Sequence, residues 1–173
     1  MLLDDIRNAI RDVPDFPKPG ILFKDITPVL ADPRLLHAAI DLLASRHAGA
    51  RIDKVAVIEA RGFTFGAGVA LQLNAGLALV RKPGKLPHRT IQASYDLEYG
   101  SATLQLHTDA IRPGERVLLV DDLLATGGTA AATAGLIEKL GGHIVEIEFL
   151  IELAFLHGRD KVKGYPVFAP IVF

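Results

Sequence analysis

The chain has 173 residues, half of them hydrophobic, and its 19 basic and 20 acidic side chains leave a net charge of -1. That length closes a real core, expected as one domain over residues 1–173, and the apolar content excludes intrinsic disorder. So small a net charge gives no general pull toward nucleic acid or anionic lipid; neither partner is expected, and any anion site is local.

Cysteine is absent, which removes disulfide frameworks and thiolate metal sites and makes the reducing cytoplasm the expected compartment. Met1-Leu2-Leu3-Asp4-Asp5-Ile6-Arg7 carries acids where a signal peptide carries a basic segment. The most apolar stretch, residues 144–156, is interrupted by Glu146, Glu148 and Glu152 and is too short to span a bilayer.

In chain order, Leu2, Leu3, Ile6, Ala9, Ile10 and Val13 recur at helical spacing and predict an amphipathic helix over residues 2–13, stopped by Pro14. Residues 16–28, with Pro17, Pro19, Gly20 and Pro28, read as a rigid extended loop around an apolar centre at Ile21, Leu22 and Phe23. Asp32-Pro33 opens a second helix over residues 34–47, on which His37 and His47 read as surface residues.

Val55-Ala56-Val57-Ile58 is a buried strand, followed by Glu59-Ala60-Arg61-Gly62-Phe63, where a guanidinium and bare glycine backbone can face one polyanion. A helix over residues 66–73 carries small residues that let it pack near the sheet. Gly76-Leu77-Ala78-Leu79-Val80 is the next strand, ending in Arg81-Lys82-Pro83-Gly84-Lys85. Residues 92–98 and the alternating residues 101–107 then predict an antiparallel flap turned at Tyr99-Gly100.

Val117-Leu118-Leu119-Val120 reads as a strand covered on both faces that stops at Asp121-Asp122. The chain turns through Thr126-Gly127-Gly128-Thr129 into a helix over residues 130–140 that ends at Gly141-Gly142. Residues 143–151 form another strand, with Glu146 and Glu148 in alternation. Residues 158–164 are a basic turn, and residues 167–169 and 171–173 close the chain as edge structure.

A parallel strand feeding a helix puts its turn at the carboxyl edge of the sheet, where open α/β folds bind ligands. Glycines at 127 and 128 let N–H groups curl around an anion, with threonine hydroxyls beside the positive end of the helix. Asp121 and Asp122 would repel a phosphate and suit hydroxyls, a metal-bound water or a cation. The turn therefore describes a ligand with both a phosphate and a diol, while the Walker and dinucleotide-binding glycine patterns are missing.

Val120-Asp121-Asp122-Leu123-Leu124-Ala125-Thr126-Gly127-Gly128-Thr129 resembles the phosphoribosyl pyrophosphate motif of the type I phosphoribosyltransferases, in the form used by their adenine-specific branch. The resemblance extends to the F-P-x-P-G segment before Phe23, to Glu59-Ala60-Arg61-Gly62-Phe63, to Arg81-Lys82 with Gly84-Lys85-Leu86-Pro87, to Ser94-Tyr95-Asp96-Leu97-Glu98-Tyr99-Gly100 and to Ile151-Glu152-Leu153. It covers residues 16–164.

This resemblance implies an α/β fold: an open, mostly parallel twisted sheet with flanking helices, a small N-terminal hood at about residues 14–28 and a flexible antiparallel flap at about residues 81–107. It implies that adenine and phosphoribosyl pyrophosphate give AMP and pyrophosphate with Mg²⁺, held through the pyrophosphate and waters, in a homodimer. The residues carried over are Ala125, Thr126, Gly127, Gly128 and Thr129 for the 5′-phosphate and Asp121 and Asp122 for the ribose. Arg61, Lys82 and Lys85 fall to the pyrophosphate, with a cis peptide expected at Ala60-Arg61. Leu22, Phe23, Lys24 and Leu153 fall to the base, and Glu98, followed by Tyr99, becomes general base or tautomer anchor. Lys24 stands where the family has arginine, so main-chain contacts there survive while a forked side-chain contact does not. The residues alone leave open a 6-oxopurine substrate, or a ligand-sensing regulator without chemistry, although no basic recognition helix is visible.

Overall fold

A computed structural model of the chain describes residues 2–97 and 100–173. Helix α1 (Leu2–Ala9) ends earlier than its apolar spacing predicts, because Arg11–Val13 leaves it as strand β1. The residue before Pro14 is driven to extended backbone, and Val13 is paired with Phe23 of β2 (Phe23–Asp25) in an antiparallel ribbon. The expected loop thus contains a short strand, and it continues into helix α2 (Thr27–Ala31), with Pro28 in the first turn where its missing N–H costs nothing. Helix α3 (Pro33–Ala44) is capped by Asp32, whose carboxylate accepts from the N–H groups of Arg34 (2.8 Å) and Leu35 (3.1 Å).

From there strands and helices alternate as β3 (Lys54–Ile58), α4 (Gly62–Gln72) and β4 (Gly76–Val80). The antiparallel pair β5 (Thr90–Asp96) and β6 (Ser101–His107) follows, then β7 (Arg116–Leu124), α5 (Gly128–Lys139) and β8 (His143–Glu152). Two short strands, β9 (Val167–Phe168) and β10 (Ile171–Val172), finish the chain. The main sheet is parallel with order β10-β8-β7-β3-β4, and β9 also pairs with β8.

Unbroken apolar runs in β3 and β7 follow from this order, because both strands are covered on two faces. Leu118 and Val120 join Val55, Val57, Leu43, Phe65 and Val69 on one side, while Val117 and Leu119 join Ala56, Ile58, Leu136 and Ile137 on the other. Helix α4 approaches the first face so closely that a Cβ on Gly66 would collide with Val57 Cγ1. The flap is less detached than its polarity suggests: Leu104 and Leu106 are buried in the second layer, and Arg81 and Gln105 exchange backbone hydrogen bonds of 3.0 and 2.7 Å.

His37 is exposed as expected, but His47 is not. The tight turn Ser45–His47 after α3 tucks it beneath the sheet edge, with Nε2 at 3.1 Å from both Glu146 and Glu148. Arg46 forks onto Glu146 at 2.8 and 3.2 Å and lies 3.9 Å over the Phe168 ring. Glu148 is fully buried and its Oε2 has no hydrogen-bond partner.

Burial, then the Glu146 charge, push Glu148 from 4.5 up to about 8 against the opposing pull of Arg46. Burial pulls neighbouring His47 down, against the opposing charge of Glu146. An acid raised by folding keeps its proton while the unfolded chain has lost it, so stability falls as pH rises from about 4.5 to about 8. Glu148→Gln removes that dependence. Thermal melts are expected to show the variant gaining roughly 5–10 °C on the parent between pH 5 and 8.5; a constant difference would place no proton on Glu148.

Candidate active site

Strands β7, β3 and β4 are neighbours and run parallel, so the segments leaving their carboxyl ends meet at one edge. The pairing of β7 with β3 ends at Val57 and Val120, whereas its pairing with β8 continues to Leu124 and Glu152. The strand predicted to stop at the two carboxylates therefore runs past them, since β8 still supplies hydrogen-bond partners after β3 has turned away into α4. Asp121 and Asp122 lie on the edge that β3 vacates. The Asp121 carboxylate backs onto the start of α4, where a Cβ on Gly62 would stand 2.8 Å from Asp121 Oδ1.

The loop over residues 125–127 leads to Gly127, whose φ of +80° is left-handed backbone that glycine adopts freely. A side chain there would also strike the Gly158 carbonyl. Helix α5 then starts with no side-chain cap, so its first N–H groups are open to an anion. Thr129 donates through Oγ1 to Tyr95 Oη of the flap at 3.0 Å, and the Tyr95 ring lies against Gly128.

Past β3, the cis peptide lies at Glu59-Ala60, one bond before the predicted Ala60-Arg61 position. Arg61 Nε reaches Asp122 Oδ2 at 2.6 Å. Glu59 ties the ends of β3 and β4 together, accepting from the Lys82 N–H at 2.9 Å and Arg81 Nε at 3.2 Å. Burial raises the Glu59 pKa, but the Lys82 N–H and the Arg81 charge outweigh it and hold the carboxyl below its usual range. Asp121 moves the other way: burial, then the Asp122 charge, push its pKa well up, with the Asp122 N–H (2.9 Å) and Arg61 only partly opposing.

These groups enclose a cleft of about 400 Å³ lined by Arg61, Lys82, Asp121, Asp122, Ala125, Thr126, Gly127 and Thr129, together with Glu59, Tyr95 and Leu104. Gly128 is buried in the first turn of α5. Among the described residues no imidazole or thiol lines it, and carboxylate and carbonyl oxygens suit a hard cation such as Mg²⁺.

Other predicted residues stand outside the lining. Phe23 reaches it through Arg61, whose guanidinium carbon is 5.2 Å from the ring centre, and Leu22 is exposed beside it. Lys24 points away, with Nζ 2.5 Å from Asp12 Oδ1 and 3.8 Å above the Phe173 ring. Leu153 is buried in the same core cluster as Ile26 and Val29. Lys85 borders a separate hollow with Leu77, Leu79, Pro87 and His107. Glu98 and Tyr99 lie outside the described residues.

Sequence reasoning gave Glu59 and Tyr95 no role. Each stood inside a quoted motif, but only the fold turns Glu59 toward Lys82 and Tyr95 toward Thr129.

The sequence model of the phosphoribosyl transferase domain matches residues 26–170, and the chain belongs to that family, within it to the adenine phosphoribosyltransferases. The adenine phosphoribosyltransferase of Syntrophotalea carbinolica is 54% identical over 171 residues, covering 99% of this chain and all of that protein. The crystal structure of adenine phosphoribosyltransferase from Thermoanaerobacter pseudethanolicus superposes with a TM-score of 0.96 at 52% identity over 99% of both chains. The Saccharomyces cerevisiae enzyme, solved with an imino-altritol bisphosphate and adenine, gives a TM-score of 0.93 at 40% identity over 98% of both chains.

The backbone constraint at the cleft is directly measurable. Gly127→Ala is expected to lower unfolding stability by roughly 2–4 kcal/mol in denaturant titrations. Gly135→Ala, where an added Cβ meets nothing within 4 Å, should be neutral or stabilising by up to about 1 kcal/mol. Equal losses at the two positions would contradict the close approach of Gly158.

Proposed function

We propose that the chain transfers the 5-phosphoribosyl group of phosphoribosyl pyrophosphate to adenine, giving AMP and pyrophosphate, a step of purine salvage. The observation that carries this reading is the convergence in one cleft of uncapped amides at the start of α5, the Asp121–Asp122 pair and the cations Arg61 and Lys82. No simple phosphate needs all three, whereas a ribose 5-phosphate bearing a 1-pyrophosphate uses each of them.

In this reading the amides of residues 125–129 hold the 5′-phosphate and the two aspartates accept from the ribose hydroxyls. Arg61 and Lys82 face the pyrophosphate and stabilise the charge it gains as the bond to the anomeric carbon breaks. A ring nitrogen of adenine forms the new bond to that carbon while its proton passes to Glu98, acting as general base. The leaving pyrophosphate takes the electron pair of the broken bond.

Mg²⁺, when bound, adds positive charge to the leaving group; Asp121 and Asp122 would hold it through water. Leu22 and Phe23 hold the base through backbone and apolar contact, with Leu153 beneath them. Tyr99 follows Glu98 in the flap, which closes over the sugar and excludes water. Lys85 joins the site only through movement of residues 81–107.

The same reading takes residues 1–173 as one domain, working in the cytoplasm, where the lack of cysteine fits. Among the described residues no helix is long and apolar enough to cross a membrane. Leu71, Leu77 and Leu79 are large exposed apolar side chains, which supports a homodimer.

Steady-state kinetics test the assignment. Adenine is expected to be turned over in preference to hypoxanthine, and a reversed preference would overturn the choice of base. Glu98→Gln is expected to lower kcat by about 10²–10⁴-fold; an unaltered rate would remove Glu98 as general base.

A further inference from the structure

The basic turn that follows β8 lies outside the groups assigned to the reaction. It contains three cations, Arg159, Lys161 and Lys163. Two are committed elsewhere: Arg159 forks onto Glu152 at 2.7 and 2.9 Å and donates to the Val167 carbonyl at 3.1 Å, while Lys163 pairs with Asp160 at 3.0 Å. Lys161 is exposed, and among the described residues no ion pair or hydrogen bond engages its ammonium. Its Nζ lies 3.7 Å from where a Cβ on Gly128 would stand, beside the first turn of α5.

This position is fixed by backbone. A Cβ on Gly158 would collide with the Ala125 carbonyl, and one on Gly127 would collide with the Gly158 carbonyl, so the turn and the loop interlock. The Arg159 fork on Glu152 anchors the turn to the end of β8. Residues 158–162 therefore hold Lys161 beside the first turn of α5, where the uncapped amides lie.

We propose that the Lys161 ammonium is the side-chain counter-ion of the phosphoryl group held on those amides. The inference rests on the phosphoribosyl reading and adds a residue to it. Neutral amides with the helix dipole amount to about half a positive charge, against nearly two negative charges on a phosphate monoester. Of the two cations that line the cleft, Arg61 is engaged with Asp122 and Lys82 faces the pyrophosphate in the proposed reading. Lys161 supplies the missing charge without touching the reacting atoms, and so acts on binding rather than on bond breaking.

Full-length Lys161→Ala, Lys161→Arg and Lys163→Ala variants separate the possibilities, with kinetics in phosphoribosyl pyrophosphate and calorimetric titration of AMP and adenosine. Lys161→Ala is expected to raise KM for phosphoribosyl pyrophosphate and weaken AMP about 10-fold or more, with kcat within about 3-fold and adenosine binding unchanged. Lys161→Arg should recover most of the loss, and Lys163→Ala should match the parent. AMP binding equally tight in parent and Lys161→Ala would overturn the role of Lys161 while leaving the phosphate site standing. A parent that binds AMP no better than adenosine would instead refute the phosphoribosyl reading itself.

Discussion

Everything at this site depends on the parallel order β7-β3-β4 and on the point where β3 stops. Because β3 turns into α4 after Ile58 while β7 continues along β8, one strand edge is exposed for a few residues, and two carboxylates stand on it. The same departure brings the start of α4 against Asp121 and Arg61 against Asp122.

Charge at the cleft is balanced by internal pairs. Arg61 holds Asp122 at 2.6 Å, and Glu59 holds Arg81 at 3.2 Å together with the Lys82 N–H. Asp121 is pushed upward by burial and by the charge of Asp122. In the proposed reading, a pyrophosphate drawing on Arg61 would free Asp122 for the sugar.

Much of this was legible in the sequence, for reasons that name particular residues. Strands covered on both faces carry unbroken apolar runs, so Val55 to Ile58 and Val117 to Val120 declared themselves; Gly76 to Val80 is apolar too, although it is a half-exposed edge strand, and the charged residues after each pointed to one edge. Positions set by long-range packing were hidden. His47 looks like a surface residue until β8 brings Glu146 and Glu148 over it. Cations showed the same limit in both directions: Lys85 sits in a phosphate-friendly run yet faces a separate hollow, whereas Lys161 sits in an ordinary basic turn and lies beside the first turn of α5. Composition reveals that cations are present, and only the backbone decides which of them meets a ligand.

The central claim is that the amides opening α5 hold a phosphoryl group while the aspartate pair holds the sugar. A crystal structure of the chain with AMP tests it most directly. The account predicts phosphate oxygens within hydrogen-bond reach of the N–H groups of residues 126–129, and the ribose hydroxyls on Asp121 and Asp122. AMP bound elsewhere, with its phosphate away from the loop over residues 125–129, would contradict it.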